Sequence, residues 1–326
     1  MPLTTDERLL TLSHDVIEAF DKADGGIHPG FRPAHAKGIL LTGVFTPSSK
    51  AASLTRAPHI QQNSTPVTVR FSDFAGIPTV SDNDPQNASP RGCAIRFHLA
   101  EHRHTDIVAH SVDNFPSRTA EGFLDFLNAL IATDLAEPHP NAIEKFLGAH
   151  PAALTFVQTP KPIPTSFGKE SFFAVSAFKF TNADGVSRYG RYRVLPVAGN
   201  EYLDEAGAAV RSPNFLFDEI KERLAKEPVK FHIVVQVAED GDIVDDATVR
   251  WPEDRPQLTF GEISLKEITP NNASEQQQII FDPLPRVDGI EASADPLFEP
   301  RANVYLMTGR RRRAAGKSSP RPLRAA

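Results

Sequence analysis

Between residues 66 and 72 the chain alternates, with Val67, Val69 and Phe71 on one parity and Thr68, Arg70 and Ser72 on the other. A period of two defines a strand and sets Arg70 and Ser72 together on the face opposite the valines. An arginine turned inward is costly unless it is paired, so that face is expected to line a polar or ligand-filled space. The same reading predicts strands over 39–46, 92–99, 105–111, 171–182, 187–197, 229–240 and 258–268, separated by turn-rich segments. Asp240-Gly241-Asp242 reads as a hairpin turn. Helical spacing governs other stretches. Leu9, Leu12, Val16, Ile17 and Phe20 mark a helix over 5–23, stopped by Gly25-Gly26. Further helices are predicted over 120–134, over 140–158 as one or two short pieces, and over 213–227. Strands at both ends with helices between them predict an α+β fold, an eight-stranded antiparallel β-barrel with inserted and flanking helices, able to enclose a ligand. Residues 1–313 are read as one domain and 314–326 as a basic, disordered tail.

Composition narrows the function classes. The 326 residues carry a net charge of −6, which gives no electrostatic case for nucleic acid or an anionic membrane. Cys93 is the only cysteine, so neither an intrachain disulfide nor a thiolate zinc cluster can form. No signal peptide opens the sequence and no stretch is long enough to span a bilayer. The expectation is a soluble protein of a reducing compartment such as the cytoplasm. There is no phosphate-binding glycine loop, HExxH zinc helix, GxSxG elbow or CxxCH haem-attachment site. His98, His102 and His104 cluster and imitate a metal site, but they lie in HLAEHRHTD, read as a polar turn between strands, and are not taken as ligands.

Two clusters carry chemistry. RPAHAKG (32–38) puts Arg32 and His35 at the mouth of the apolar strand that starts at Gly38. Near the other end, Arg301 and Tyr305 stand four residues apart, one helical turn, with Arg312 beyond. A cation beside Tyr305 favours phenolate over phenol, and phenolate is one of the few protein ligands of haem iron.

RPAHAKG, VTVRFS, PRGCAIRF, the segment from Asp106 to Phe123 and FDPLPRVDGIEASADPLFEPRANVY, in that order, resemble the catalase superfamily over most of residues 25–312. Without a long N-terminal arm or a C-terminal helical domain, the chain is similar to the short catalase-related peroxidases. The resemblance implies that His35 is the distal histidine moving a peroxide proton and that Ser72 orients it. It implies that Tyr305 binds the iron from the opposite side, with Arg301 holding it as phenolate. Arg32, Arg70 and Arg312 would neutralise haem propionates, Phe115 and Phe123 would wall the pocket, and Gly92 would pass close to the porphyrin. One position departs: where catalases have a distal asparagine, this chain has His110. A second imidazole there makes dismutation of successive H2O2 molecules doubtful.

The function so implied is a haem b peroxidase that reduces H2O2 or organic hydroperoxides with a small organic electron donor, as a homo-oligomer. Two rivals remain: hydroperoxide rearrangement of the allene oxide synthase kind, and a non-enzymatic barrel that carries haem or lipid.

Overall fold

A computed structural model describes residues 3–134 and 136–318. Asp6 caps the first helix, α1 (Glu7–Ala23), by accepting from the amides of Arg8 and Leu9. Four long antiparallel strands follow: β1 (Gly38–Pro47), β2 (Thr65–Ser72), β3 (Gly92–Ala100) and β4 (Arg103–His110). A helical segment comes next, α2 (Ala120–Ile131), α3 (Ala142–Ala149) and α4 (Pro151–Gln158). The predicted strand over 171–182 is broken into β5 (Phe172–Phe173) and β6 (Phe178–Thr181). Both pair with the same edge of β7 (Ser187–Pro196), so together they occupy one stave. Helices α5 (Glu205–Ala209) and α6 (Phe215–Leu224) precede β8 (Val229–Val237) and β9 (Gln257–Ile268). Asp240-Gly241-Asp242 does turn, but it opens a long loop before β9 rather than a tight hairpin.

The sheet runs β7-β5-β4-β3-β2-β1-β9-β8, and β8 pairs back onto β7, which closes an eight-stranded antiparallel barrel. Three elements escaped the sequence reading: α5, and, completing the chain before the last helix, α7 (Asn272–Gln278) and β10 (Ile290–Ala292), which extends the sheet from β6. Helix α8 (Phe298–Ser318) continues into the stretch read as a tail; residues 319–326 lie outside the described residues.

The barrel interior is packed with side chains rather than open. It is filled by Phe45, Phe71, Phe97, Phe172, Phe180, Phe231 and Phe260 among aliphatic side chains. Rings pack edge to face, as between Phe45 and Phe97 with centroids 5.1 Å apart. The valines of β2 therefore point into the barrel, and Arg70 and Ser72 point outward, onto the wall covered by helices. There α1 packs on α2 and α8 through Leu12, Val16, Leu127 and Val304, and α7 lies against both β1 and α8. The polar space foreseen beside Arg70 lies between barrel and helices. Among the described residues no helix is long and apolar enough to cross a membrane.

Candidate active site

Strand register builds one side of the site. Gly38 of β1 pairs with Ser72, Ser72 with Gly92, Gly92 with His110, and His110 with Phe173. Directly opposed residues share a face, so this row runs across the outer wall on the same side as Arg70. His35 is delivered from the loop before β1. Its backbone adopts φ 59°, a region uncommon for a residue with a side chain, and its amide donates to the Phe74 carbonyl. The imidazole Nδ1 is 3.0 Å from the Asp73 carbonyl and 3.1 Å from the Ser72 hydroxyl. A carbonyl can only accept, so Nδ1 carries the proton and Nε2 keeps a lone pair. Burial pushes the His35 pKa down to about 3, and Arg70 and Arg32 add to that shift while the Asp73 carbonyl opposes it. His35 is thus neutral, with a basic Nε2.

Gly92 serves this pair. A Cβ there would stand 2.5 Å from Ser72 Oγ and 2.8 Å from His35 Nδ1, so any side chain would displace the histidine. The space reserved by this glycine belongs to the His35–Ser72 contact.

Three buried or half-buried guanidinium groups converge on the end of α7. Arg32 donates to the carbonyls of Gln276 and Ile279 at 3.3 and 3.1 Å, and Arg312 to that of Ile279 at 2.8 Å. Arg70 donates to the Gln276 side chain at 3.0 Å and to the His35 carbonyl at 2.8 Å. Burial lowers all three: Arg70 to about 9 with help from Arg312, and Arg312 to about 10 with help from Arg313 and Arg311. Arg32 falls well below its ordinary value through burial, Arg70 and Arg312, with Tyr305 opposing. Among the described residues no carboxylate forms an ion pair with any of them. Clustered cations with only neutral acceptors are suited to an anionic ligand.

Helix α8 supplies Arg301 and Tyr305, the guanidinium carbon 5.9 Å from the phenol ring centroid. Arg301 also reaches Ser176 Oγ at 3.4 Å. His110, Phe115, Phe123 and Phe20 form an aromatic line, with centroid separations of 6.4, 5.0 and 5.7 Å along it. The His110 pKa is pushed down to about 3, by burial first and then by His35, Arg301 and Lys161. The two histidines, α8 and the aromatic line therefore belong to one site.

Sequence reasoning missed the supports. Gln276 bridges Arg70 to the Gly38 carbonyl, 2.9 Å from its own amide, and α7 has no apolar periodicity to announce it. Behind His35, fully buried Arg91 is paired with Asp73 and donates to the Asp82 carbonyl, while Lys37 is paired with Asp82 and lies 3.9 Å from Asp73. Arg91 and Asp73 each adjoin a residue singled out from sequence, but nothing local marks them as partners.

A family model described as catalase matches residues 14–318. The chain belongs to the catalase family. It is 32% identical over 307 residues to a catalase-related peroxidase of Mycolicibacterium paratuberculosis, covering 92% of this chain and 95% of the relative. A catalase-related peroxidase of Synechococcus elongatus is 30% identical, over 87% of this chain and 84% of its own. A fungal catalase crystal structure superposes with a TM-score of 0.77 at 23% identity, covering 98% of this chain; a bacterial catalase gives 0.76 at 22%. The chain spans 65% of the length of each of these two catalase structures.

Catalase-family enzymes are haem-dependent oxidoreductases acting on peroxide, and the side chains present fit that cofactor. A phenol such as that of Tyr305 can donate to iron, arginines without a carboxylate partner among the described residues suit two propionates, and the nitrogens of His110 (Nε2) and Arg312 (Nε) are buried polar atoms without a partner among the described residues.

Proposed function

We propose that this protein is a haem b peroxidase that reduces H2O2 or an organic hydroperoxide with an organic electron donor, and that it dismutates H2O2 weakly or not at all. The observation that carries this reading is the distal row itself, His35 and Ser72 joined across Gly92 to a second histidine, His110. The chain's likeness to two catalase-related peroxidases over most of their lengths supports the same choice. Haem, when bound, supplies the redox centre at which the O–O bond breaks. Arg32, Arg70 and Arg312 would hold its carboxylates, and Tyr305 its iron, with Arg301 favouring the anionic phenol oxygen. Cys93 is packed inside the barrel core, which supports a non-covalently held haem.

The proton traffic follows from the tautomer of His35. Its Nε2 lone pair takes the proton from the near oxygen of the hydroperoxide and returns it to the departing oxygen, while Nδ1–H stays anchored on Asp73. Over the full cycle the hydroperoxide takes two electrons and two protons and leaves as an alcohol and water. Burial and the two arginines keep His35 unprotonated, and so basic, at neutral pH. His110 shares a face with Ser72, and on this reading its ring would crowd the second H2O2 that dismutation needs.

The test is a parallel assay of donor oxidation and O2 release with H2O2 and with a lipid hydroperoxide. Donor oxidation with little O2, and an alcohol product, are expected. Rapid O2 release with negligible donor oxidation overturns the peroxidase reading, and an epoxide product replaces reduction by rearrangement.

A further inference from the structure

The chain turns sharply after β4, and that turn fixes His110. The amide of Val112 donates to His110 Nδ1 at 3.3 Å. A backbone N–H can only donate, so Nδ1 is unprotonated and the neutral ring carries its proton on Nε2. The cation is disfavoured by burial and by the positive field of His35, Arg301 and Lys161. Nε2 is buried and meets no partner among the described residues. His35 shows the reverse arrangement, with Nδ1–H bound to the Asp73 carbonyl and Nε2 unprotonated. Cross-strand register places His110 on the same face as Ser72, with only Gly92 between them, so the two imidazoles flank one space.

We propose that His110 is a dedicated hydrogen-bond donor of this pocket, its Nε2–H holding an oxygen of the bound hydroperoxide while His35 Nε2 receives the proton. This rests on the peroxidase reading above and assigns the two histidines complementary tasks. A buried donor left unpaired is costly, and a ligand that offers a lone pair at this point removes that cost on binding. A carboxamide can present either its oxygen or its nitrogen. His110 can present only the proton, because its other nitrogen is occupied. The pocket therefore selects ligands that accept strongly at this point, such as hydroperoxides and fluoride, over weak acceptors such as carbon monoxide.

The experiment has two arms. NMR of the full chain with 15N-labelled histidine, at pH 7, should show His110 protonated on Nε2 alone and His35 on Nδ1 alone. His110 protonated on Nδ1, or on both nitrogens, overturns the proposal. In the second arm, fluoride is titrated into the ferric haem-loaded protein and followed by absorbance. His110→Leu should weaken fluoride about tenfold, the size of one hydrogen bond, and His110→Asn should restore it to within about threefold. Haem-loaded His110→Leu with wild-type fluoride affinity overturns the proposal alone. A wild-type chain that takes up no haem overturns the peroxidase reading and this proposal with it.

Discussion

The two faces of the barrel wall are both covered, yet they are built to opposite ends. On β2, Val69 and Phe71 enter an interior of stacked phenyl rings, while Arg70 and Ser72, one residue along, enter a space of guanidinium and imidazole groups. Histidine appears on both sides and makes the contrast measurable. His59 lies inside the barrel, 1% exposed, with its ring centroid 4.8 Å from that of Phe97. Burial alone pushes its pKa down to about 4. His35 is brought to about 3 by burial together with two cations, and its orientation is set by named hydrogen bonds. Burial makes a histidine neutral in either place. Only directed partners make it a base with a chosen nitrogen.

The largest expected effect separates the faces by truncation. His35→Ala should lower peroxidase turnover by roughly 10²–10⁴, the usual worth of general acid–base catalysis, with little change in unfolding free energy. Phe97→Ala should do the reverse, costing about 3–5 kcal/mol of stability in a denaturant titration through the cavity left among the rings. If both variants lose mainly stability, the division between packing face and chemical face fails.

Arg91→Leu tests how the two are joined. The variant leaves Asp73 buried without its main partner and should cost about 3–5 kcal/mol. It should also reduce turnover in the protein that remains folded, because the Asp73 carbonyl that holds His35 loses its anchor. Denaturant unfolding measured beside kcat distinguishes this from a purely structural effect, which would leave kcat per folded molecule unchanged.

The smallest effect is a pH slope. The unfolded chain protonates His59 near 6.5 and the folded one only near 4, so the unfolded state binds more protons between those values. Stability that His59 contributes above pH 6.5 is therefore lost as pH falls towards 4, by about 3 kcal/mol in all. His59→Leu should flatten the acid limb of the stability curve by that amount. His35 and His110 carry the same sign down to about pH 3, so the remaining slope should persist in this variant. An unchanged slope would mean that His59 is already charged in the folded protein.

Much of the fold was legible locally. Alternation in β2, and apolar runs bounded by turn-rich segments for β1, β3, β4, β7, β8 and β9, placed each strand to within a few residues, because these signals are local to each segment. The break between β5 and β6 was invisible, since 171–182 keeps its apolar character through residues that leave the sheet. Helix α7 was missed because its sequence, NASEQQQ, buries nothing by periodicity and is held instead through Asn272 and Gln276 to β1. The site residues were legible mainly through resemblance. Their supports, Asp73, Arg91 and Gln276, act through main-chain carbonyls and long-range bonds that no motif encodes.

By itself the sequence determined which residues share a face: Arg70 with Ser72 through the strand period, and Arg301 with Tyr305 through the helical turn. Both are consequences of backbone geometry within one element. The tertiary structure decided which face is inside. Phenylalanines from seven places in the chain fill the barrel, so the arginine face is turned to the helices. It also decided the protonation pattern, since each imidazole nitrogen takes its role from whichever backbone group lies against it, a carbonyl for His35 and an amide for His110.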